Sequence, residues 1–149
     1  MLINDEFGNF VIQAILDHFV TISKRKQKMD VRVSCFYEFI RLNLGKLCKQ
    51  QYSSRVVEKA VETMPKEQFE KVCNVFMKHS NKKCKMYKEI MLDSYGNYIA
   101  PKILERAKGF NLHQFESFKQ VSHLGVFHPL IFLSGLQRQY RSFEKSKTW

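Results

Sequence analysis

Residues 93–104 read DSYGNYIAPKIL, and the same pattern stands twice more, as DEFGNFVIQAIL at 5–16 and QQYSSRVVEKAV at 50–61. The three segments align without gaps. Phe7, Tyr52 and Tyr95 coincide, as do the aliphatic pairs Val11-Ile12, Val56-Val57 and Ile99-Ala100 and the following Ile15, Ala60 and Ile103. From Asn9 to Ser54 to Asn97 the periods are 45 and 43 residues, near the range of two-helix solenoid repeats once loop insertions are allowed. A unit of that size cannot bury its apolar face alone. The pattern therefore predicts an all-α stack in which each repeat covers its neighbour's apolar face.

Outward from these segments, three prolines and six glycines punctuate 149 residues, and most apolar residues recur at helical spacing. The spacing predicts a helix over 7–19, with Phe7, Phe10, Val11, Ala14, Ile15 and His18-Phe19 on one face, ending before the polar run 23–30. Further helices are expected over 33–48, 53–64 and 65–79, the last opening at Pro65 because an unpaired N–H is tolerated there. A polar loop at 80–85 leads into a helical pattern over 86–107, broken near Tyr95-Gly96. This gives one domain, 1–149, with repeat helices around 5–19, 33–64 and 66–107 and a cap or tail at 110–149.

Composition narrows the function. Lys and Arg number 25 against 14 Asp and Glu, a net charge of +11, while 44% hydrophobic and 13% aromatic residues exclude a disordered basic tail. A folded, basic protein calls for an acidic partner, and nucleic acid is the first candidate. Cys35, Cys48, Cys73 and Cys84 are well separated, with no CxxC pair, and read as reduced thiols of a cytosolic or nuclear protein rather than a disulfide scaffold or zinc ribbon. The longest apolar run, 129–133, is too short to span a bilayer, and the first residues do not form a secretory leader.

The order Asn9-Phe10-x-x-Gln13, Ser54-Arg55-x-x-Glu58, Asn97-Tyr98-x-x-Pro101 resembles the last three base-reading repeats, six to eight, of the Pumilio-type (PUF) family, in which each repeat reads one RNA base with two or three side chains. The resemblance covers roughly 5–108. It implies a right-handed, armadillo-like α-solenoid, of which this would be a C-terminal fragment, since the first reading helix begins within a few residues of Met1. It also implies triplets selecting U, G and U and a protein chain antiparallel to the RNA: 5′-U at the Asn97 repeat, G at the Ser54 repeat, U at the Asn9 repeat. A 5′-UGU-3′ core in mRNA 3′ untranslated regions follows, as do decay or translational repression through a deadenylase or repressor proteins, and a cytoplasmic location. Pro101 departs from the family's glutamine and offers no edge contact, so weaker discrimination with stacking retained is expected there; the proline is tolerable if it falls in the first helical turn.

The spacing has its own physics. Residues i and i+4 lie one above the other on a helix and i+1 sits beside them, so three side chains can meet one base. Glu58 is the most discriminating, because a carboxylate accepts two hydrogen bonds side by side and guanine offers adjacent N1–H and N2–H donors. The amides of Asn9 and Gln13 suit the mixed edge of uracil, and Asn97 has the same chemistry. Phe10, Arg55 and Tyr98 present two aromatic faces and one guanidinium on which splayed bases stack for about 1–3 kcal/mol each. An A-form duplex hides those edges, so single-stranded RNA is the expected partner, with neither cofactor, metal nor small-molecule substrate.

Other readings stand beside this one. A helical-repeat adaptor would bind a peptide on the same face, and a PUF-like ribosome-assembly factor would bind structured RNA with little base choice. The aliphatic pairs are read as core. The basic runs at 24–28 (Lys24, Arg25, Lys26, Lys28) and 82–88 (Lys82, Lys83, Lys85, Lys88) are read as solvated segments before phosphate-contacting loops or a nuclear-import patch. His113, His123 and His128 lack ligand partners at metal spacing, and local motifs assemble no nucleophile and base, so no enzyme is expected.

Overall fold

A computed structural model describes residues 1–77 and 85–113, and every regular element among them is helical. A short 3₁₀ turn at Leu2–Asn4 precedes α1 (Gly8–Arg25), α2 (Val31–Leu47), α3 (Ser53–Thr63), α4 (Lys66–Phe76), α5 (Lys85–Leu92) and α6 (Gly96–Gly109). The cap expected over 110–149, the cluster at 82–85, Cys84, His123 and His128 lie largely or wholly outside the described residues.

The helices form two layers. In one, the inner layer, α1 packs on α3 and α3 on α6; in the other, the outer layer, α2 packs on α4 and both meet α5. The layers join through α2 on α3 and α5 on α6. Between them lies one core, with Tyr37, Ile40 and Leu44 from α2, Val56, Val57 and Val61 from α3, Phe69 and Phe76 from α4 and Ile99 and Ile103 from α6. Burying each such side chain contributes about 1.5–3 kcal/mol. Tyr37 also donates from its hydroxyl to Thr63 Oγ1 at 3.1 Å, latching α2 to the end of α3.

The three aligned segments start the three inner helices, and they do so with the same turn. Asp5 Oδ1 accepts from the N–H groups of Phe7 and Gly8 at 3.0 and 2.7 Å; Asp93 Oδ1 accepts from those of Tyr95 and Gly96 at 2.9 and 3.0 Å. Each carboxylate thus satisfies first-turn donors and sits at the positive end of the helix dipole. The turn is tight: a Cβ on Gly8 would lie 2.5 Å from the Leu2 carbonyl oxygen, and one on Gly96 would lie 2.4 Å from that of Ile90. At the second repeat a serine takes this place, and Ser53 Oγ donates to the equivalent carbonyl, Leu47, at 2.8 Å.

Three expectations need correction. First, α1 does not end at residue 19 but continues to Arg25, so Lys24 and Arg25 form its last turn, where cations sit favourably at the negative end of the helix dipole, and the chain reverses only at Gln27, with φ 52°. Second, α4 ends at Phe76, short of residue 79. Third, the apolar face assigned to α1 is not its core face. Val11 and Ile15 are 49% and 45% exposed, Phe7 and Phe10 more so, and the buried residues of α1 are Gly8, Asn9, Leu16 and Val20. At the same repeat positions Val56, Ala60, Ile99 and Ile103 are at most 1% exposed. The stacking explains the difference: α3 and α6 each have an inner helix before them, whereas no described helix flanks α1 on that side.

Candidate nucleic-acid interface

The inner layer sets three planar side chains in equivalent places. Phe10 on α1 is 68% exposed, Arg55 on α3 is 69% exposed along its side chain, and Tyr98 on α6 is 37% exposed. The repeat register alone brings them to one face, because each stands one residue past the Asn or Ser of its segment.

The residues expected to touch base edges are placed unevenly. Asn9 is only 2% exposed: its Nδ2 donates to the carbonyls of Asp5 and Glu6 at 3.0 and 2.6 Å, and its Oδ1 accepts from Gln13 Nε2 at 3.1 Å. The more accessible amide therefore belongs to Gln13, which is half-buried and is held by Asn9 through that bond. Ser54 is likewise buried, donating from Oγ to the Gln51 carbonyl at 2.9 Å. Both side chains brace the opening turn of their helix, a function that Ser and Asn perform well because they hydrogen-bond nearby backbone.

At the third segment the pattern breaks. Pro101 lies in the second turn of α6, not the first, so it withholds the N–H that would bond the Asn97 carbonyl. It also lacks the side-chain donor that Gln13 supplies, and Asn97 Oδ1 is buried without a partner.

Glu58 is half-buried and tied on both sides. Lys102 of α6 donates from Nζ to Glu58 Oε1, and Arg55 Nη1 lies 3.7 Å from Glu58 Oε2. Lys102 is also 3.3 Å from Glu62 Oε1. Burial opposes the charge of Lys102, yet its hydrogen bond to Glu58 and the fields of Glu58 and Glu62 outweigh that and hold its pKa above the usual lysine value.

Sequence reasoning passed over a ladder that runs through this face. Lys59 stands five residues past Ser54 and Lys102 five past Asn97, and Lys59 Nζ lies 2.8 Å from Asp17 Oδ2 of α1 as Lys102 lies near Glu62 of α3. The acids Asp17 and Glu62 share a repeat position too. The alignment already contained this signal, but lysines on a helix surface read as solvated charges until the preceding helix is seen beside them. Arg106 adds a second brace one turn further on, donating to the carbonyls of Val61 and Met64 at the end of α3 while its guanidinium lies 5.1 and 5.0 Å from the Phe69 and Phe110 ring centroids.

Elsewhere the chemistry is quiet. Burial pushes the Cys48 and Cys73 thiols up to about 12, so neither is a nucleophile at neutral pH, and Cys35 is exposed. Among the described residues no three His, Cys, Asp or Glu side chains converge as metal ligands, and no helix is long and apolar enough to cross a membrane. A groove lined by Glu38, Arg41, Lys71, Asn74 and Val75 lies on the outer layer, away from the aligned positions.

Comparison with known proteins adds to this geometry. The profile of the Pumilio-family RNA binding repeat matches residues 1–26, 43–76 and 87–112, which take in all three inner helices. A protein described as putative pumilio homolog 10 of Arabidopsis thaliana is 26% identical over 108 residues, covering 72% of this chain and 17% of that protein. The crystal structure of PUF-8 in complex with PBE-RNA has the same helical stack, with a TM-score of 0.69 at 19% identity, over 93% of this chain and 38% of that one. This chain thus spans well under half the length of either.

Proposed function

The chain belongs to the Pumilio family of RNA-binding repeat proteins, and on that premise we propose that its inner face binds single-stranded RNA and reads a 5′-UGU-type core. The observation that carries the reading is the row of Phe10, Arg55 and Tyr98, three planar side chains exposed at one repeat position on three successive inner helices. Bases stack on such faces whatever their identity, so the row supplies affinity and the residues at i+4 supply choice. Glu58 accepts from guanine; Gln13, steadied by Asn9, reads the 3′ uracil; Asn97 and Tyr98 hold the 5′ base without an i+4 partner, since Pro101 has no polar side-chain atom to add. Ser54 acts by holding the turn that presents Arg55 and Glu58.

The role that fits this chemistry is recognition without catalysis. The protein docks on 3′ untranslated regions of messenger RNA in the cytoplasm and regulates decay or translation through recruited proteins, a deadenylase or a translational repressor.

Fluorescence-anisotropy titration with short RNAs carrying UGU, UCU or AGU at two salt concentrations tests the reading. Binding is expected to be lost with UCU and only slightly reduced with AGU. Equal affinities that fall together with salt would mean that the net positive charge alone binds RNA and that no base is read.

A further inference from the structure

We infer that Lys102 of α6 is a positioning residue for Glu58 of α3, so that the central base is chosen by two neighbouring repeats acting together. The inference rests on the base-reading function proposed above and assigns it a residue outside the triplets.

A glutamate on a helix surface has three rotatable bonds, and presenting its carboxylate in one orientation costs side-chain entropy. Within α3 the contact available to Glu58 is Arg55, whose Nη1 at 3.7 Å is beyond hydrogen-bond distance. Lys102 supplies the missing fixture from the next helix, donating to Glu58 Oε1. The ammonium is itself anchored, because Glu62, one turn on from Glu58, lies 3.3 Å from it. A carboxylate has about four lone-pair sites. With Lys102 on one site of Oε1, a site remains on each oxygen for guanine N1–H and N2–H, so the lysine orients the acceptor pair without filling it.

The neighbouring step of the stack is a natural control. Lys59 occupies the same position on α3 and reaches back to Asp17 at 2.8 Å, but the i+4 residue of α1 is Gln13, which carries no charge. The lysine-to-acid rung is therefore common to both steps, and at the α3–α6 step the base-reading carboxylate joins it.

The test compares anisotropy titrations of the 149-residue chain with RNAs carrying UGU or UAU, for the unmodified protein and for Lys102→Met, Lys102→Arg, Glu58→Gln and the Glu58→Gln/Lys102→Met double variant. Lys102→Met is expected to lower the preference for guanine over adenine about tenfold while leaving UAU affinity within about twofold, as for a directly coupled pair. Lys102→Arg should keep most of the preference, and in the Glu58→Gln background Lys102→Met should change nothing further. If Lys102→Met does not fold, Lys102→Gln, also uncharged, takes its place with the same expected fall. A preference unchanged or increased without the lysine, or an equal loss of affinity for both RNAs, would overturn the inference while base reading by Glu58 stands. No guanine preference in the unmodified protein, with Glu58→Gln silent, would remove base reading itself and this role with it.

Discussion

Asn97 Oδ1 is buried without a partner one helical turn before Pro101, at the place where Asn9 accepts from Gln13. One substitution accounts for two lost donors: proline has neither the side-chain amide of glutamine nor a backbone N–H for the Asn97 carbonyl.

Pro101→Gln should return both. A proline in a helix interior costs on the order of 3 kcal/mol, and urea denaturation should show a gain approaching that amount. The same variant should sharpen discrimination of U from C at the 5′ position of the RNA core. A midpoint unchanged or lowered would show that α6 is already fitted to the proline.

Val11 and Val56 share a repeat position and differ in surroundings, 49% against 0% exposed. Val11→Asp should therefore shift stability by no more than about 0.5 kcal/mol. Val56→Asp places an unpaired charge in the core and should unfold the chain, because burying such a group costs several kcal/mol. Circular-dichroism melts of the two variants, run together, make the comparison.

Gly96→Ala drives a methyl to within 2.4 Å of the Ile90 carbonyl oxygen, whereas a Cβ on Gly109 meets nothing within 4 Å. The first variant should lose about 1–3 kcal/mol by overpacking, and Gly109→Ala should lose none. Equal effects in chemical denaturation would show that the turn before α6 shifts without cost.

Asp30 opens α2 by accepting from the Arg32 N–H at 2.9 Å and pairing with the Arg32 guanidinium at 2.7 Å. That side-chain hydrogen bond comes first among the causes that lower its carboxyl from 3.8 to about 2. A folded-state value below the unfolded one means that the contribution to stability is complete above pH 3.8 and is lost as pH falls through 2. Arg32→Ala should move the Asp30 carboxyl titration, followed by NMR, up toward 3.8 and so shrink the contribution that acid removes. A carboxyl still titrating near 2 in the variant would assign the shift to the backbone bond alone.

The starts of all three inner helices were legible in the sequence, because the aligned aromatics Phe7, Tyr52 and Tyr95 each stand one residue before a helix, and the repeat shows in the sequence without any distant partner. Burial on α1 was not. Periodicity finds which residues share a face, but whether that face is covered depends on the neighbouring helix, and Val11 and Ile15 lie on the flank that has none among the described residues. The burial of Asn9 escaped for a related reason: its amide carbonyl faces Gln13, but its Nδ2 turns back to Asp5 and Glu6, a brace that residue type alone does not distinguish from an open polar face. Lys102 and Glu58 are 44 residues apart in the chain, too far for any local pattern to connect them.

The rungs joining Lys59 to Asp17 and Lys102 to Glu62 also give the helices a serial order. Each of α3 and α6 carries a plug for the helix before it, and α1 and α3 each carry a socket for the helix after. Ala14 stands on α1 where the plug would be, and Glu105 on α6 repeats the socket. A shuffled chain with α1 placed after α3 would set Ala14 against Glu62 and leave that acid unanswered. The sequence of the repeats is thus written in their charges as well as in the peptide bonds that join them.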